Sequence, residues 1–217
     1  MNNLNMMQEI MVWVIPVLFA VTVHEVAHGW IASKLGDKTA LMLGRLTLNP
    51  FKHIDLVGTV LVPLACLLVG NFIFGWAKPV PVDWRNLRKP RRDAALVAFA
   101  GPASNFIMAL LWAFVAKFGA FAMQQGYGNA LFLAYVGQAG IAINLLLMIL
   151  NLIPIPPLDG SRVVSSLLPR DLANIYGAIE PYGLIILLVL MFSNVLSMIL
   201  LPPLAWMQQF IHGVFAL

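Results

Sequence analysis

The run MVWVIPVLFAVTVHEVAHGWIAS, Met11 to Ser33, is apolar along most of its length yet carries His24, Glu25 and His28 near its C-terminal end. As a helix it would extend about 35 Å, enough to cross a hydrocarbon core of about 30 Å. The whole chain shares that character. Of 217 residues, 61% are hydrophobic and 10% charged, with a mean hydropathy of +0.88, where a soluble domain carries roughly a quarter charged residues. Thirteen basic and nine acidic side chains cannot cover such a chain in water, so a water-soluble globule is excluded and the lipid bilayer is its solvent.

Further runs of spanning length lie at about Ala94 to Phe118, Leu131 to Ile153 and Leu184 to Pro202. Leu56 to Gly75 is long enough but is interrupted by Gly58, Pro63, Gly70 and Asn71, and Leu204 to Leu217 is short for a crossing; both read as re-entrant or interfacial. The expected fold is an all-α polytopic membrane protein of four to six transmembrane or re-entrant helices. Short membrane-associated β-strands are expected after the first helix, at LGRLTL (Leu43 to Leu48) and GWAKPVPV (Gly75 to Val82). No linker, low-complexity tract or repeat divides the sequence, so residues 1–217 read as one membrane-embedded domain. No Lys or Arg precedes the first apolar run, which is therefore expected to stay in the mature protein rather than be cut as a signal peptide.

The net charge of +4 and pI near 9.5 raise the question of nucleic acid, but the basic residues sit in short loops rather than along one exposed face, so no nucleic-acid partner is expected. Twelve of the thirteen fall in three connections: Lys34 to Lys52, Lys78 to Arg92, and Arg162 with Arg170. The positive-inside bias puts all three in the cytoplasm only if Leu56 to Gly75 dips and returns. The first helix and the one ending near Ile153 then point the same way. RNLRKPRR, Arg85 to Arg92, could bind anionic lipid, but a topology determinant is the simpler reading. The lone Cys66 permits neither an intrachain disulfide nor a cysteine-based metal site.

His24 and His28 are four apart, hence on one helical face with imidazoles able to meet on one ion, and Glu25 stands beside the first. This H-E-x-x-H pattern supplies two nitrogen ligands for Zn²⁺ and a carboxylate placed to take a proton from water on the metal. Ionisable groups inside an apolar helix are costly unless partnered, which argues against an idle solvated face. A catalytic zinc usually takes three protein ligands. The best third candidate is Asp159, in NLIPIPPLDG from Asn151 to Gly160, where Pro154, Pro156 and Pro157 end an apolar helix. Leu-Asp-Gly is equally a common turn, and topology is what brings Asp159 to the end where the two histidines stand. The alternative from another class is a metal transporter or membrane scaffold using the same His/His/Asp site. His53 and His212 read as interfacial histidines; Trp76, Trp84, Trp112 and Trp206 as interface anchors; Asn105 and Asn144 as possible helix-to-helix hydrogen bonds.

HEVAH, GRLTLNPFKHIDLVGT from Gly44, GWAKPVPV from Gly75, GPASN from Gly101 and NLIPIPPLDG from Asn151 occur in the order found in the site-2 protease family of intramembrane zinc metalloproteases, which the chain resembles over most of Val21 to Gly160. The resemblance implies a compact member, without room for a PDZ domain, whose His24, His28 and Asp159 bind zinc, whose Glu25 is the general base, and whose Asn151 holds the scissile peptide or its oxyanion. Asn105, Trp76 and Lys78 are candidate substrate contacts. The implied activity is zinc-dependent hydrolysis of peptide bonds in an unwound transmembrane segment of a membrane-protein substrate, as in regulated intramembrane proteolysis. The implied location is multi-pass in the cell membrane of a prokaryote.

Overall fold

A computed structural model describes residues 4–62, 64, 66, 68, 75–128 and 130–217. The long helices are α1 (Met6–Leu35), α3 (Pro90–Gln124), α4 (Ala130–Leu152) and α8 (Val195–Phe215). Shorter ones are α2 (Thr39–Met42), α5 (Asp159–Leu167), α6 (Arg170–Gly177) and α7 (Gly183–Phe192). Among the described residues, five stretches are long and apolar enough to cross a membrane: α1, α3, α4, α8 and the run Arg170–Phe192 that contains α6 and α7. The chain is a multi-pass membrane protein.

α1 starts where Asn5 can cap it: the Asn5 side chain accepts from Gln8 N–H at 2.8 Å and Gln8 Oε1 accepts from Asn5 N–H at 3.0 Å. α1, α3 and α4 form the bundle that carries the site. Ala109, Ala113 and Ala116 of α3 bury against Ile141, Leu145 and Met148 of α4. An added Cβ at Gly137 would run into the Ala116 backbone, and one at Gly119 into that of Ala134. Helices in lipid gain from such close backbone approach, because packing replaces the hydrophobic drive that water would supply. Contacts of Ala116 with Gly137 and of Gly119 with Ala134 make α3 and α4 antiparallel, as do those of α1 with α3 at His24 and Asn105 and at His28 and Val97. α1 and α4 therefore run the same way, and the C-terminal ends of both meet the N-terminal end of α3.

The connection from α1 to α3 leaves and returns at that same end. Asp37, fully buried, accepts from the Asp83 amide at 2.9 Å, from Asn86 Nδ2 at 3.1 Å and from Thr39, while Arg88 N–H donates to Leu35 C=O at 3.1 Å. Burial alone would push the Asp37 carboxyl up; the hydrogen bonds from Thr39, Asn86 and the Asp83 amide outweigh it and hold it below the usual carboxylate range. Within the connection Trp76 N–H donates to Gly58 C=O at 3.0 Å and Lys78 N–H to His53 C=O at 2.9 Å. The segment entered at the π-helical turn Leu56–Leu61 thus returns beside its own start. Of the run Leu56 to Gly75, expected to be re-entrant, residues 63, 65, 67 and 69–74 lie outside the described residues.

Three expectations are corrected. Among the described residues there is no β-strand, neither at LGRLTL nor at GWAKPVPV. The amides of Trp76, Lys78 and Val80 are spent on three unrelated acceptors (Gly58 C=O, His53 C=O and Glu25 Oε2), and Pro79 and Pro81 have none to give, so no ladder can register. Arg45 instead fastens LGRLTL to the Lys78 and Pro79 carbonyls. The expected span Leu184 to Pro202 is divided at Asn194, a left-handed residue (φ 61°) between α7 and α8, and Pro202 and Pro203 lie inside α8 rather than ending a helix. Trp112 packs against Gly140 and, edge to face at 6.4 Å, Phe19, inside the bundle rather than at an interface.

Candidate metal centre

His24 and His28 lie one turn apart on α1, His24 buried and His28 largely so. Their rings are fixed through Nδ1. His28 Nδ1 faces the Val97 carbonyl at 2.7 Å, and a carbonyl can only accept, so this nitrogen carries the proton. His24 Nδ1 faces Asn105 Oδ1 at 2.6 Å. The amide is oriented by its other end, since Asn105 Nδ2 donates to Ala20 C=O at 3.2 Å and to Asn144 Oδ1 at 3.0 Å, and Asn144 Nδ2 donates to Gly140 C=O at 2.9 Å. Asn105 and Asn144 are fully buried. A network anchored on two backbone carbonyls therefore settles the tautomer, and both Nε2 atoms present lone pairs.

Asp159 completes the group. The three prolines of PIPP break the helix after α4, and α5 begins at Asp159 itself, turned back against α3. Its Oδ2 lies 3.1 Å from His24 Nε2 and 3.3 Å from His28 Nε2, and the two Nε2 atoms are 3.0 Å apart. Three lone pairs converge with no proton between them, and Asp159 Oδ2 is buried without a hydrogen-bond partner among the described residues. Such an arrangement is repulsive until a cation enters. Ligands about 2.0 Å from a tetrahedral ion stand about 3.3 Å from one another, so the observed triangle fits zinc, and the donor set of two imidazoles and one carboxylate suits it. Gly101 gives the imidazoles their room: a Cβ there would lie 2.5 Å from His28 Nε2 and 2.6 Å from His24 Nε2.

Glu25 follows His24 on α1 and its Oε2 accepts from Val80 N–H at 2.7 Å, which ties the extended segment Gly75 to Val82 to the site. Leu46 and Val80 both crowd Gly29, one residue past His28, so the connection lies over this part of α1.

The other expected residues are placed as follows. Asn151, in the last turn of α4, donates Nδ2 to Leu147 C=O at 2.9 Å. Asn105 sits behind His24 with both ends of its amide engaged, which leaves no polar group for a substrate. Trp76 covers Gly58, and Lys78 is exposed. His53 is buried inside the connection, its Nε2 on Thr47 C=O at 2.9 Å, and His212 joins Gln138 at 2.9 Å; neither belongs to the metal group. Sequence reading missed Val97, Val80 and Gly101. The first two act through backbone atoms, which no side-chain pattern reveals. Gly101 stood in the quoted GPASN, four residues before Asn105 and so on the same helical face.

No protein-family model and no solved structure matches the chain. Curated relatives do. The chain is 40% identical over 197 residues to the Bacillus subtilis (strain 168) protein named "Putative zinc metalloprotease YwhC", a match covering 88% of this chain and 84% of that one. It is 26% identical over 194 residues to "Putative zinc metalloprotease Rip2" of Mycolicibacterium smegmatis, covering 89% of this chain and 71% of that protein.

Proposed function

We propose that this chain, which belongs to the site-2 protease family of zinc metalloproteases, hydrolyses peptide bonds within membrane segments of other proteins, as in regulated intramembrane proteolysis. The observation carrying this reading is that His24, Glu25 and His28 stand on α1, a helix apolar enough to cross a membrane, where Asp159 at the start of α5 closes the cation-demanding triangle with the two histidines. Zinc is the enzyme's metal, and when bound it supplies a Lewis acid that polarises the scissile carbonyl and acidifies water.

In this reading His24, His28 and Asp159 hold zinc, and Asn105 and the Val97 carbonyl keep the two imidazoles turned toward it. Glu25 is the general base. Val80 N–H steadies Oε2, while Oε1, which carries no hydrogen bond among the described residues, takes the proton from water and later gives it to the leaving amine. Asn151 has a second N–H beyond the one given to Leu147, and this is offered to the oxyanion. The substrate must arrive unwound, because a transmembrane helix holds every carbonyl in its own hydrogen bonds. Gly75 to Val82, tied to Glu25 through Val80 N–H, is a natural guide for it, with Trp76 and Lys78 at its exposed start. The bacterial relatives favour the cell membrane of a prokaryote as its place.

The test is cleavage of model transmembrane substrates by detergent-purified protein with and without a zinc chelator. Cleavage should stop with chelator and return with zinc. Chelator-insensitive cleavage, or cleavage confined to soluble peptides, would overturn the proposal.

A further inference from the structure

A cavity of about 400 Å³ opens between the first turn of α3, α5 and α6. Three of its lining residues are arginines from three helices: Arg91, Arg162 and Arg170. Ser165 and Ser166 add hydroxyls, and Trp84 supplies a wall on which the Arg162 guanidinium stacks at 4.9 Å. Among the described residues, none of those lining it is acidic. Arg162 spends one contact on Glu180 at 3.1 Å and Arg91 one on the Leu168 carbonyl, so each keeps further N–H donors, and Arg170 makes no hydrogen bond or ion pair among the described residues. The first turn of α3 carries its own acid, Asp93, whose Oδ2 accepts from Lys89 N–H at 2.8 Å and offsets the positive end of the helix dipole, so the arginines set the field of the cavity.

Like charges gathered around one cavity repel unless an anion joins them, and guanidinium forks match phosphate oxygens in pairs. We propose that this cavity is a binding site for a phosphate group, taken either from the headgroup of an anionic lipid or from a free phosphate compound. The surroundings suit a lipid: Leu167, Leu172 and Ile175, of α5 and α6, are 79%, 51% and 67% exposed, an apolar rim beside the arginines. The phosphate would bridge α3 to α5, the helix whose first residue is Asp159.

Two arms identify the source. Native mass spectrometry of protein from nanodiscs of phosphatidylcholine containing about a fifth phosphatidylglycerol reads retained headgroup lipid. Calorimetric titration of the detergent-solubilised protein with inorganic phosphate reads the free anion. Arg162→Gln with Arg170→Gln should weaken binding at least about tenfold. Lys38→Gln with Lys52→Gln removes the same charge outside the cavity and should leave binding unchanged. Ala173→Phe fills the cavity with every charge intact and should also abolish binding, and it decides the matter where the double arginine variant fails to fold, judged by zinc content. Retained phosphatidylglycerol without phosphate binding assigns the lipid, and the reverse assigns a soluble phosphate compound. Equal loss in the cavity variants and the lysine control, unchanged binding in both cavity variants, or no binding by wild-type protein in either arm would overturn the site.

Discussion

Gly101→Ala sets two effects of opposite sign against each other. In the interior of α3, alanine should favour the helix by about 1 kcal/mol over glycine. Yet its Cβ would stand 2.5 to 2.6 Å from the two Nε2 atoms, where ordinary contact needs at least 3.4 Å, so the rings or the helix must give by about 0.9 Å. Coordination tolerates about 0.2 Å, so the displacement falls on the metal. Overpacking of this kind costs about 1 to 3 kcal/mol, which in zinc affinity is about a fivefold to 150-fold loss. Competition with a chromophoric chelator measures it. Gly128→Ala, where an added methyl meets nothing within 4 Å, is the control and should bind zinc as wild type does. Thermal unfolding of the zinc-free proteins separates the two effects, because the Gly101→Ala apoprotein should hold its helix at least as well as its metal-binding loss would suggest. Wild-type zinc affinity in Gly101→Ala would refute the claim that α3 is pressed directly against the ligands.

Asp159→Ala should lose most of the roughly one zinc per chain by elemental analysis, since two imidazoles alone leave the ion under-ligated. Glu25→Gln should keep the metal and lower cleavage about 10²- to 10⁴-fold, whereas metal uptake into vesicles that survives this change would favour a transporter. Asn105→Leu should cost about 10- to 100-fold in zinc affinity through the freed His24 ring, read by the same competition assay. The Asp37 carboxyl has a lowered folded-state pKa, so its clasp contributes stability that is complete above the unfolded value of about 3.9 and is lost as pH falls through the folded value; Asp37→Asn should flatten that part of a thermal-stability profile against pH. In a Cys66→Ala background, cysteines at the exposed Lys38 and Arg88 should react with an impermeant reagent from the same side, because the connection returns to the end it left.

What could be read from sequence was whatever the side chains state themselves. His24, Glu25 and His28 announce a metal face by helical spacing, and the charge pattern correctly made α1 and α4 parallel, which is what brings Asp159 to them. What could not be read rests on the backbone. Val97 holds His28 by a carbonyl and Val80 holds Glu25 by an amide, and any residue at those positions offers the same atoms. The strands failed for a related reason: alternation in LGRLTL describes which side chains face inward, but a ladder needs a partner whose amides are free, and Pro79 and Pro81 remove them. Pro202 and Pro203 misled in the opposite direction, because a long apolar helix packed against neighbours can keep prolines that would end an isolated one.

The buried amide of Asn105 reaches α1 through Ala20 and His24 and α4 through Asn144, while itself belonging to α3. Helix association and ligand orientation are consequently one event at this residue. A detergent that lets α4 drift from α3 withdraws the Asn144 carbonyl, releases the amide and frees the ring it had held. Zinc stoichiometry then becomes a gauge of solubilisation: a preparation that has shed its metal without a chelator is one in which the bundle has loosened, and it should show this while its circular dichroism still reports every helix intact.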